Sequence, residues 1–508
     1  MEKPDAGPPP DLRPPIIWSD PLSPTDIQPT RLYAAREPVF PRRVKGKFRT
    51  LKWWILGVTL GIYYITPWLR WDRGPNLPDQ AVLIDLAGRR FFFFMIEIWP
   101  HEFYFVAGLL IMAGLGLFLF TSALGRVWCG YACPQTVWTD LFILVERWVE
   151  GDRNARLRLH RQAWSLEKVR KRALKWAAWL LIAVSTGGAW VFYFADAPTL
   201  MSELLTGQAH PIAWAFIAGL TATTFVFGGF MREQICIYAC PWPRIQAAMM
   251  DEDTLTVAYR GWRGEPRGKL AKGEVAPADA KGEVAPADAK GDCIDCMACV
   301  NVCPTGIDIR DGQQLACITC ALCIDACDDT MAKIGKPRGL IDYLALTDEV
   351  AERAGKPVKP VWTHILRPRT ILYTVLWSGV GVGLVAALFL RSDIGMHVTP
   401  VRNPTFVTLS DGAIRNTYDL RLLNKHGESR EFRISLVSDE AFDLSLEGQQ
   451  GQTVMVPGNA TTTQRLYIVA KAGSHAAAED RSDLRLWVED LASTDRVHSD
   501  TIFNGKDD

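Results

Sequence analysis

The sequence predicts a multi-domain membrane protein. An α-helical transmembrane bundle of about five spans would carry an inserted, cysteine-rich α+β module and a C-terminal all-β immunoglobulin-like sandwich. The 508 residues have no net charge and are 48% hydrophobic, but the apolar residues are gathered in long uncharged runs. Eight of the twelve cysteines fall within 35 residues. After Leu390, apolar and polar residues alternate with the period of β-strands.

The apolar runs have the length of bilayer-spanning helices, which need about 20 residues. Tryptophan and tyrosine lie at the ends of several runs, as they do at membrane interfaces. The first run is the weakest, because it is short and contains Pro67 near its end. The predicted spans are residues 53–69, 103–124, 174–194, 212–231 and 370–390.

The basic residues predict the side of the membrane on which each loop lies, because Lys and Arg are enriched in cytoplasmic loops. Residues 125–175 contain eleven of them, whereas residues 195–211 contain none. The N-terminus, this basic loop and residues 232–369 are therefore predicted to be cytoplasmic, and the chain after Leu390 to lie on the other side. An odd number of spans agrees with this orientation. All twelve cysteines then lie on the reducing side or at its membrane edge.

The clustered cysteines form the pattern C-x2-C-x2-C-x3-C twice. Bacterial two-cluster ferredoxins bind two [4Fe–4S] clusters with this spacing, and the fourth cysteine of each run ligates the other cluster. Zinc sites usually take two separated cysteine pairs, and disulfides need an oxidising compartment, so neither fits as well. The predicted ligands are Cys293, Cys296, Cys299 and Cys327 for cluster site I, and Cys317, Cys320, Cys323 and Cys303 for cluster site II.

The two cysteine runs are followed by different residues. Pro304 follows the first run, as the ferredoxin pattern expects, whereas Asp328 follows the second. This departure is expected to change the local turn without removing a ligand.

The remaining four cysteines form a second repeat, C-x-Y-A-C-P, shortly after the second and fourth predicted spans. Its members are Cys129, Cys133, Cys236 and Cys240. A thiol just before a helix should have a lowered pKa, because the helix dipole favours the thiolate. Four such thiols suit Cu(I), zinc or another iron–sulfur centre. Metal binding, electron relay, a redox disulfide and simple packing all remain open at this point.

Two further segments have recognisable patterns. Residues 272–280 and 281–289 repeat the sequence KGEVAPADA, which predicts a flexible linker that lets the cysteine-rich module move. Residues 135–150 are amphipathic and are expected to form an interfacial helix rather than to re-enter the membrane.

The C-terminal region alternates β-forming and polar residues between turn sequences. Short strands at this spacing over about 110 residues favour an immunoglobulin-like sandwich. The predicted strands are residues 416–423, 431–437, 453–457, 461–470 and 483–489.

These features together resemble the FixG/RdxA/CcoG family of accessory proteins for assembly of cbb(3)-type cytochrome c oxidase. The resemblance rests on both C-x-Y-A-C-P repeats, the double ferredoxin motif, the β-rich tail, and Trp99, Pro100, Phe103 and Tyr104 at the start of the second span. It implies a polyferredoxin-like protein of the bacterial inner membrane with a periplasmic C-terminal domain. It also implies reduction of Cu(II) to Cu(I), with copper as substrate. We expect Cys129, Cys133, Cys236 and Cys240 to be the reaction site, because soft thiolate ligands suit Cu(I). The implied partners are oxidase assembly factors or copper chaperones.

The predicted domains follow this resemblance. Residues 1–50 form a disordered Pro-rich N-terminus, 51–250 the first four spans, 251–291 a linker and 292–340 the two-cluster module. Residues 341–369 form a cytoplasmic linker, 370–391 the fifth span and 396–508 the sandwich.

Two other functions remain open from the sequence. The membrane motif is shared more loosely with NapH- and NosR-type membrane ferredoxins, which favours a quinol dehydrogenase subunit. A non-catalytic assembly scaffold or redox sensor is the other alternative. His101, His210 and His397 lie near predicted outer ends of spans and could receive copper or a quinol, although such histidines are more often interfacial. No nucleotide-binding motif or nucleic-acid surface is evident, and the electron donor and a homodimeric state are undecided.

Overall fold

The computed structural model describes residues 38–74, 77–269, 291–438, 442–449 and 451–506. Residues 1–37 of the segment 1–50 predicted to be disordered, and the KGEVAPADA repeat, therefore lie outside the described residues. The prediction is wrong for the end of that segment, because helix α1 begins at Lys47 and the Arg42 N–H donates to the Asn301 carbonyl oxygen at 2.7 Å. The first part of the chain contains α1 (Lys47–Ile65), β1 (Val82–Asp85), β2 (Arg90–Phe93), β3 (Ile96–Ile98), α2 (Tyr104–Leu124), α3 (Val127–Tyr131), α4 (Pro134–Glu150), α5 (Arg153–Arg161), α6 (Leu166–Val191), α7 (Ala197–Thr206), α8 (Pro211–Thr224), two π-helices (Phe225–Met231 and Ile235–Ala239) and α9 (Trp242–Met249).

The cysteine-rich module and the last long helix follow. Their elements are β4 (Thr256–Tyr259), α10 (Gly261–Gly264), α11 (Ala298–Val302), α12 (Leu322–Lys333), β5 (Ile341–Leu344), α13 (Leu346–Arg353), α14 (Val361–Ile365) and α15 (Pro368–Leu390).

Four helical segments are long and apolar enough to cross a membrane by length and composition, among the residues that the structure describes. They are Pro100–Leu124, Leu166–Val191, Pro211–Met231 and Pro368–Leu390, and they coincide with the last four predicted spans. Small residues bring them together. A Cβ atom at Gly187 of α6 would lie 2.8 Å from the Ile217 carbonyl oxygen of α8, so these helices approach at glycine.

The first predicted span is not among these four. Its helix, α1, begins six residues before Trp53 at Lys47 and ends at Ile65, just before Pro67. The basic residues of its first two turns lower its mean hydropathy. It nevertheless runs with the bundle: its start contacts the cysteine-rich module, and Trp68, just beyond its end, packs edge-on against Phe192 at the far end of α6.

The amphipathic segment 135–150 is a helix, as predicted, but its predicted interfacial position is wrong. Helix α4 packs antiparallel along α6: the Trp138 indole donates to Thr186 Oγ1 at 2.9 Å, and the ring of Phe142 stacks on Trp179. Phe142 is fully buried. The hydrophobic stripe therefore contacts the bundle instead of the lipid headgroups.

The cysteine-rich module is small and is closed by a two-stranded antiparallel sheet. Strand β4 pairs with β5, and the pair joins segments that lie before and after the cysteines. Val257, Ile324 and Leu340 pack in its core together with Cys293 and Cys327. The cysteines thus form part of the core of the module.

The C-terminal region forms two antiparallel sheets. Its strands are β6 (Ile394–Pro400), β7 (Val407–Thr408), β8 (Ile414–Asn424), β9 (Arg430–Val437), β10 (Phe442–Leu446), β11 (Thr453–Val456), β12 (Ala460–Ala470), β13 (Arg481–Asp490) and β14 (Arg496–Asn504), with a single helical turn α16 (His475–Ala478) before β13. One sheet has the order β10-β12-β8-β6 with β7 on β8, and the other has the order β11-β9-β13-β14. Tyr418, Phe432, Leu486 and Phe503 fill the space between them and are fully buried. The predicted segments correspond to β8, β9, β11, β12 and β13.

The module and the sandwich contact opposite ends of the bundle. Asp325 of α12 accepts hydrogen bonds from the backbone N–H groups of Phe48 and Arg49 at the start of α1. At the other end, Lys425 of the sandwich pairs with the buried Glu102 at 2.6 Å. We call these the ferredoxin end and the sandwich end.

Buried ion pairs hold α4 at the ferredoxin end. Glu146 of α4 contacts Arg156 at 2.5 Å, Arg232 at 2.6 Å and Lys175 at 3.3 Å. Burial opposes its ionisation, but these three cations outweigh burial and lower the pKa of Glu146 to about 2. Part of the basic loop 125–175, from which the membrane topology was predicted, is therefore buried. Its side chains connect α4, α5, α6 and the end of the fourth span.

The substitution Glu146→Gln should destabilise the bundle, because it leaves three buried cations without their shared carboxylate. Removing one member of a buried ion pair costs about 3–5 kcal/mol. The free energy of unfolding in detergent, measured by denaturant titration, checks this. Glu167→Gln removes an exposed carboxylate paired with Lys171 and serves as the control with little effect. Equal midpoints for Glu146→Gln and the wild type would contradict the assigned role of Glu146.

Candidate metal centres and membrane thiols

The two cysteine runs fold into loops with the same backbone. Asp295 and Met297 in the first run have φ of 51° and 57°, and the equivalent Thr319 and Ala321 in the second have φ of 52° and 59°. Residues with a side chain seldom adopt these left-handed conformations, which persist where surrounding structure imposes them. The repeated strain turns each loop back on itself, so that its first three cysteines are brought together.

Each loop meets the fourth cysteine of the other run. One cavity is lined by Cys317, Cys320, Cys323 and Cys303, which is the complete predicted set for cluster site II. A second is lined by Cys293, Cys296, Cys299 and Cys327, the complete set for cluster site I. Cys299 borders both cavities. The structure thus brings each predicted ligand set together, while ligation itself stays a prediction.

The donor chemistry of these cavities fits iron–sulfur clusters. Burial raises the pKa of Cys320 and of Cys327 to about 12, which disfavours thiolates in the absence of metal. Metal coordination supplies the compensating charge, since a coordinating thiol is deprotonated outright. In the described part of the chain, no three His, Cys, Asp or Glu side chains converge on a single ion. Ligands spread around a four-iron cube need no such convergence.

The backbone after the second run differs from that after the first, as predicted, because no turn follows Cys327. Cys327 and Asp328 both lie within α12, and the Asp328 carboxylate accepts a hydrogen bond from the Gly339 backbone at 2.9 Å. Cys303, in contrast, caps the end of α11 before Pro304. The fourth cysteine of one run is therefore helical and that of the other is extended.

The C-x-Y-A-C-P cysteines form a second group at the ferredoxin end. All four are free thiols. Cys236 lies close enough to the other three for their charges to influence it: burial first, and then Cys133, Cys129 and Cys240, raise its pKa to about 12. The two motifs thus lie close enough for their thiols to interact electrostatically, but among the described residues no three of these thiols converge on one ion position.

The predicted lowering of the thiol pKa by helix dipoles is wrong for Cys133. This residue is the N-cap of α4, with Pro134 in the first helical position. The backbone N–H groups of Gln135 and Thr136 do favour its thiolate, but burial outweighs them and raises its pKa. In such a site the desolvation of the thiol is larger than the benefit from the helix terminus.

Each motif is held by a glutamine that the sequence analysis did not identify. Gln246 of α9 is buried; its Oε1 accepts a hydrogen bond from the Cys129 thiol at 3.0 Å, and its Nε2 donates to Thr121 of α2 at 3.2 Å. Gln135 of α4 donates to the Phe227 carbonyl oxygen at 2.9 Å. The helix after each motif therefore contacts the membrane helix before the other. Because the glutamines occupy different positions after their cysteines, no shared motif points to them.

The first motif packs directly on cluster site II. A Cβ atom at Gly130 would lie 2.6 Å from the Ile318 carbonyl oxygen and 3.0 Å from Cys320 Cα. The Tyr131 hydroxyl donates to the Cys320 carbonyl oxygen at 3.2 Å. Cys129 also belongs to an apolar cluster with Ile318 and Cys320. The backbones of the membrane motif and the cluster loop are therefore in van der Waals contact.

The second motif faces the same site across a cavity. Cys236 lines this cavity on the bundle side, and Pro304 and Thr305 line it on the module side. Lys52 and Asp140 form part of its polar wall. Both halves of the membrane repeat thus border the module near Cys303 or Cys320.

The candidate histidines lie elsewhere. His101 belongs to the helical turn Pro100–Glu102, His210 caps the start of α8 and His397 lies on β6 of the sandwich. None of them lines the cavities that contain the cysteines. The structure does not bring them to the thiols.

Comparison with family models gives three matches. A 4Fe-4S dicluster domain matches residues 231–345, a 4Fe-4S binding domain matches residues 105–151, and the IG-like fold at the C-terminus of FixG matches residues 384–506. The first two ranges contain all twelve cysteines between them. Together with the apolar helices and the two β-sheets, these matches confirm the predicted fold class.

Three curated relatives are similar over nearly their whole length. The chain is 73% identical to protein RdxB of Cereibacter sphaeroides, over 95% of this chain and 99% of the relative. It is 68% identical to protein RdxA of the same organism, over 90% and 95%. It is 52% identical to the nitrogen fixation protein FixG of Rhizobium meliloti, over 93% and 94%.

The exchanged ligand sets can be tested with two double variants that each lose two cysteines. Cys303→Ser with Cys317→Ser removes two ligands from cluster site II, so the protein should lose about 4 iron atoms per chain. Cys327→Ser with Cys317→Ser removes one ligand from each site and should lose about 8. Iron analysis after anaerobic purification, with electron paramagnetic resonance of the reduced protein, measures both. The opposite order would show that each run binds its own cluster.

Proposed function

Because the chain belongs to the FixG/RdxA family, we propose that this membrane iron–sulfur electron-transfer protein reduces Cu(II) to Cu(I) at its four membrane thiols, for assembly of a cbb(3)-type cytochrome c oxidase. The observation that carries the proposal is the contact between the Cys129–Cys133 motif and the loop of cluster site II. Bound [4Fe–4S] clusters would supply one-electron redox chemistry at Cys293, Cys296, Cys299 and Cys327, and at Cys317, Cys320, Cys323 and Cys303. The contact around Gly130 would place the proposed electron acceptor beside that chemistry.

The four membrane thiols suit the product of the reaction. Cu(I) is a soft ion that prefers sulfur ligands, whereas Cu(II) favours nitrogen and oxygen ligands in a tetragonal arrangement. Cys129, Cys133, Cys236 and Cys240 would therefore stabilise copper after it accepts one electron. Thiol protons would leave as copper binds, because the thiolate is the ligand form.

Gln246 would hold the reacting thiol in place during this change. It accepts from the Cys129 thiol now, and rotation of its side-chain amide would present an N–H donor to the thiolate instead. Its burial beside α2 keeps the amide near the sulfur, and after rotation the Thr121 hydroxyl would donate to Oε1 instead of accepting from Nε2. The Gln246 side chain can thus serve both protonation states of Cys129.

We place the ferredoxin end in the cytoplasm and the sandwich in the periplasm of an inner-membrane protein. Support comes from the basic residues of segment 125–175 and from the cysteines, all of which lie towards one end of the bundle. Copper would then be reduced at the cytoplasmic face. The partners we propose are assembly factors or copper chaperones of the oxidase.

Replacing Cys129, Cys133, Cys236 and Cys240 together by Ser should abolish Cu(II) reduction by the dithionite-reduced protein, because the proposed site then has no soft ligands for the product. A Cu(I)-specific chelator follows the reaction anaerobically. The eight module cysteines are unchanged in this variant, so its iron content should equal that of the wild type. Iron analysis of the same sample is therefore the internal control. Wild-type copper reduction by this variant would mean that copper reacts elsewhere.

Gly130→Ala tests the contact itself. The added Cβ would collide with the Ile318 carbonyl and the Cys320 backbone, so the motif and the cluster loop must separate. The single-turnover rate of Cu(II) reduction should fall about tenfold, equivalent to about 1.4 kcal/mol of activation free energy. Gly188→Ala, where a Cβ meets nothing within 4 Å, is the control. Equal rates for the two variants would indicate that electrons do not cross at Gly130.

A further inference from the structure

Arg310 contacts both left-handed residues of the first cysteine loop. It lies in a helical turn between the two cysteine runs, and only 4% of its side chain is exposed. Its Nη1 donates to the Asp295 carboxylate at 2.6 Å, and its Nη2 donates to the Met297 sulfur at 2.8 Å. Asp295 and Met297 lie on either side of Cys296. Arg310 therefore holds the backbone conformation that brings the ligands of cluster site I together.

A second carboxylate holds the arginine itself. Asp308 accepts hydrogen bonds from Arg310 Nε at 2.9 Å and from Nη2 at 2.6 Å, and it also accepts from the Arg310 backbone N–H at 3.0 Å. A bidentate pair of this kind fixes the plane of the guanidinium. Asp308 thus orients the guanidinium so that its other N–H groups reach Asp295 and Met297.

The second cysteine loop is held differently. Its left-handed residues are Thr319 and Ala321, and the Thr319 carbonyl oxygen accepts a hydrogen bond from the Tyr343 hydroxyl at 3.1 Å. The next carbonyl oxygen, that of Cys320, accepts from the Tyr131 hydroxyl of the bundle. Neutral hydroxyl groups thus hold this loop, whereas a guanidinium holds the first. The two loops therefore differ in the charge of the groups that hold them.

The positive charge of Arg310 acts on the thiols of cluster site I. Its side chain lines the cavity that contains all four of these cysteines. Burial raises the pKa of Cys299 to about 12, and the charge of Arg310 is the largest effect that opposes this rise. The reduction potential of an iron–sulfur cluster depends on nearby charge and on hydrogen bonds to its sulfur atoms. A cation in this cavity favours the reduced cluster, which carries one more negative charge.

Cluster site I is also the site nearer to solvent. Cys296 is exposed, whereas Cys320 of cluster site II is buried in an apolar cluster with Cys129 of the bundle. An electron that enters the module from water therefore meets site I first, and site II adjoins the membrane thiols. A higher potential at site I favours acceptance of electrons at the solvent-facing end.

We propose that Arg310 is a positioning residue for cluster site I, which fixes the first cysteine loop and raises the reduction potential of the cluster bound there. This inference rests on the iron–sulfur clusters of the proposed function and does not depend on copper. Without Arg310, the carboxylates of Asp295 and Asp308 would lie beside the cluster with no counter-charge. Both would then oppose the addition of an electron.

Two substitutions should move the midpoint potential of the same cluster in opposite directions. Arg310→Gln leaves two carboxylates without their cation, so the equilibrium constant for reduction should fall about tenfold, which is about 59 mV for one electron. Asp295→Asn removes one carboxylate and keeps the cation, so the midpoint should rise. Asparagine tolerates the left-handed backbone of this position. Redox titration of the full-length protein, followed by electron paramagnetic resonance, measures both midpoints.

Lys333→Gln is the matched control. It also removes a cation from a carboxylate pair, with Asp329 on α12, but this pair is exposed, so both midpoints should stay at their wild-type values. The Cys303→Ser, Cys317→Ser protein identifies the cluster that responds, because it keeps cluster site I alone. The shift caused by Arg310→Gln should persist in that protein, and its absence there would overturn the assignment to site I.

Midpoints that do not move in opposite directions in Arg310→Gln and Asp295→Asn would overturn the proposal, because a purely structural contact gives no such reversal of sign. If Arg310→Gln loses about 4 iron atoms per chain, Asp295→Asn decides alone: a raised midpoint supports the proposal, and an unchanged one overturns it. Cu(II) reduction by the wild type is measured separately. Its failure would overturn the proposed function and leave the order of the midpoints standing.

Discussion

The close contact at Gly130 is the constraint on which the rest of the arrangement depends. No side chain fits between this residue and the carbonyl of Ile318, so the first membrane motif and the loop of cluster site II meet backbone to backbone. The contacts around it reinforce this position, since Tyr131 bonds the Cys320 carbonyl and Arg126 bonds the Leu315 carbonyl. The module is therefore fixed on the bundle where the membrane thiols lie. The linker was expected to let the module move, and these contacts oppose such movement.

Buried charge supplies the support behind this contact. Asp140 of α4 pairs with Arg49 and Lys52 of α1, and the start of α1 is bonded in turn to Asp325 of the module. A buried ion pair adds little net stability over an apolar pair, but each member is strongly held once its partner is present. The network therefore serves mainly to fix α4, and with it Cys133, relative to the module.

The composition of the chain predicts its large features well. Apolar runs identified the last four spans, and alternation identified five strands of the sandwich, because each pattern reflects one buried face or one hydrocarbon layer. The spacing of the cysteines predicted which thiols meet, and the two cavities contain those sets. The first span was harder to predict, because the basic residues of α1 lower its mean hydropathy. In the structure Arg49 and Lys52 are buried in ion pairs with Asp140, which no local sequence pattern reveals.

Other features depend on tertiary contacts and could not be read from local sequence. The amphipathic pattern of α4 predicted that one face of this helix is buried. It did not show that the helix bundle, rather than the membrane interface, buries that face. The pKa of Cys133 depends on desolvation by neighbouring elements, which outweighs the helix terminus beside it. Gly125 and Arg232 occupy equivalent places in the two halves, with φ of 61° and 42°. A glycine predicts such a backbone, but an arginine does not, and here its pairing with Glu146 helps to hold it.

In the proposed mechanism, electrons held by the module reach copper at the membrane thiols. Rapid mixing of the anaerobically reduced full-length protein with Cu(II) tests this directly, with cluster absorbance and Cu(I) followed in the same reaction. We expect cluster oxidation and Cu(I) formation to proceed with the same rate constant and to involve equal numbers of electrons. Formation of Cu(I) while the clusters remain reduced, or cluster oxidation without Cu(I), would contradict it.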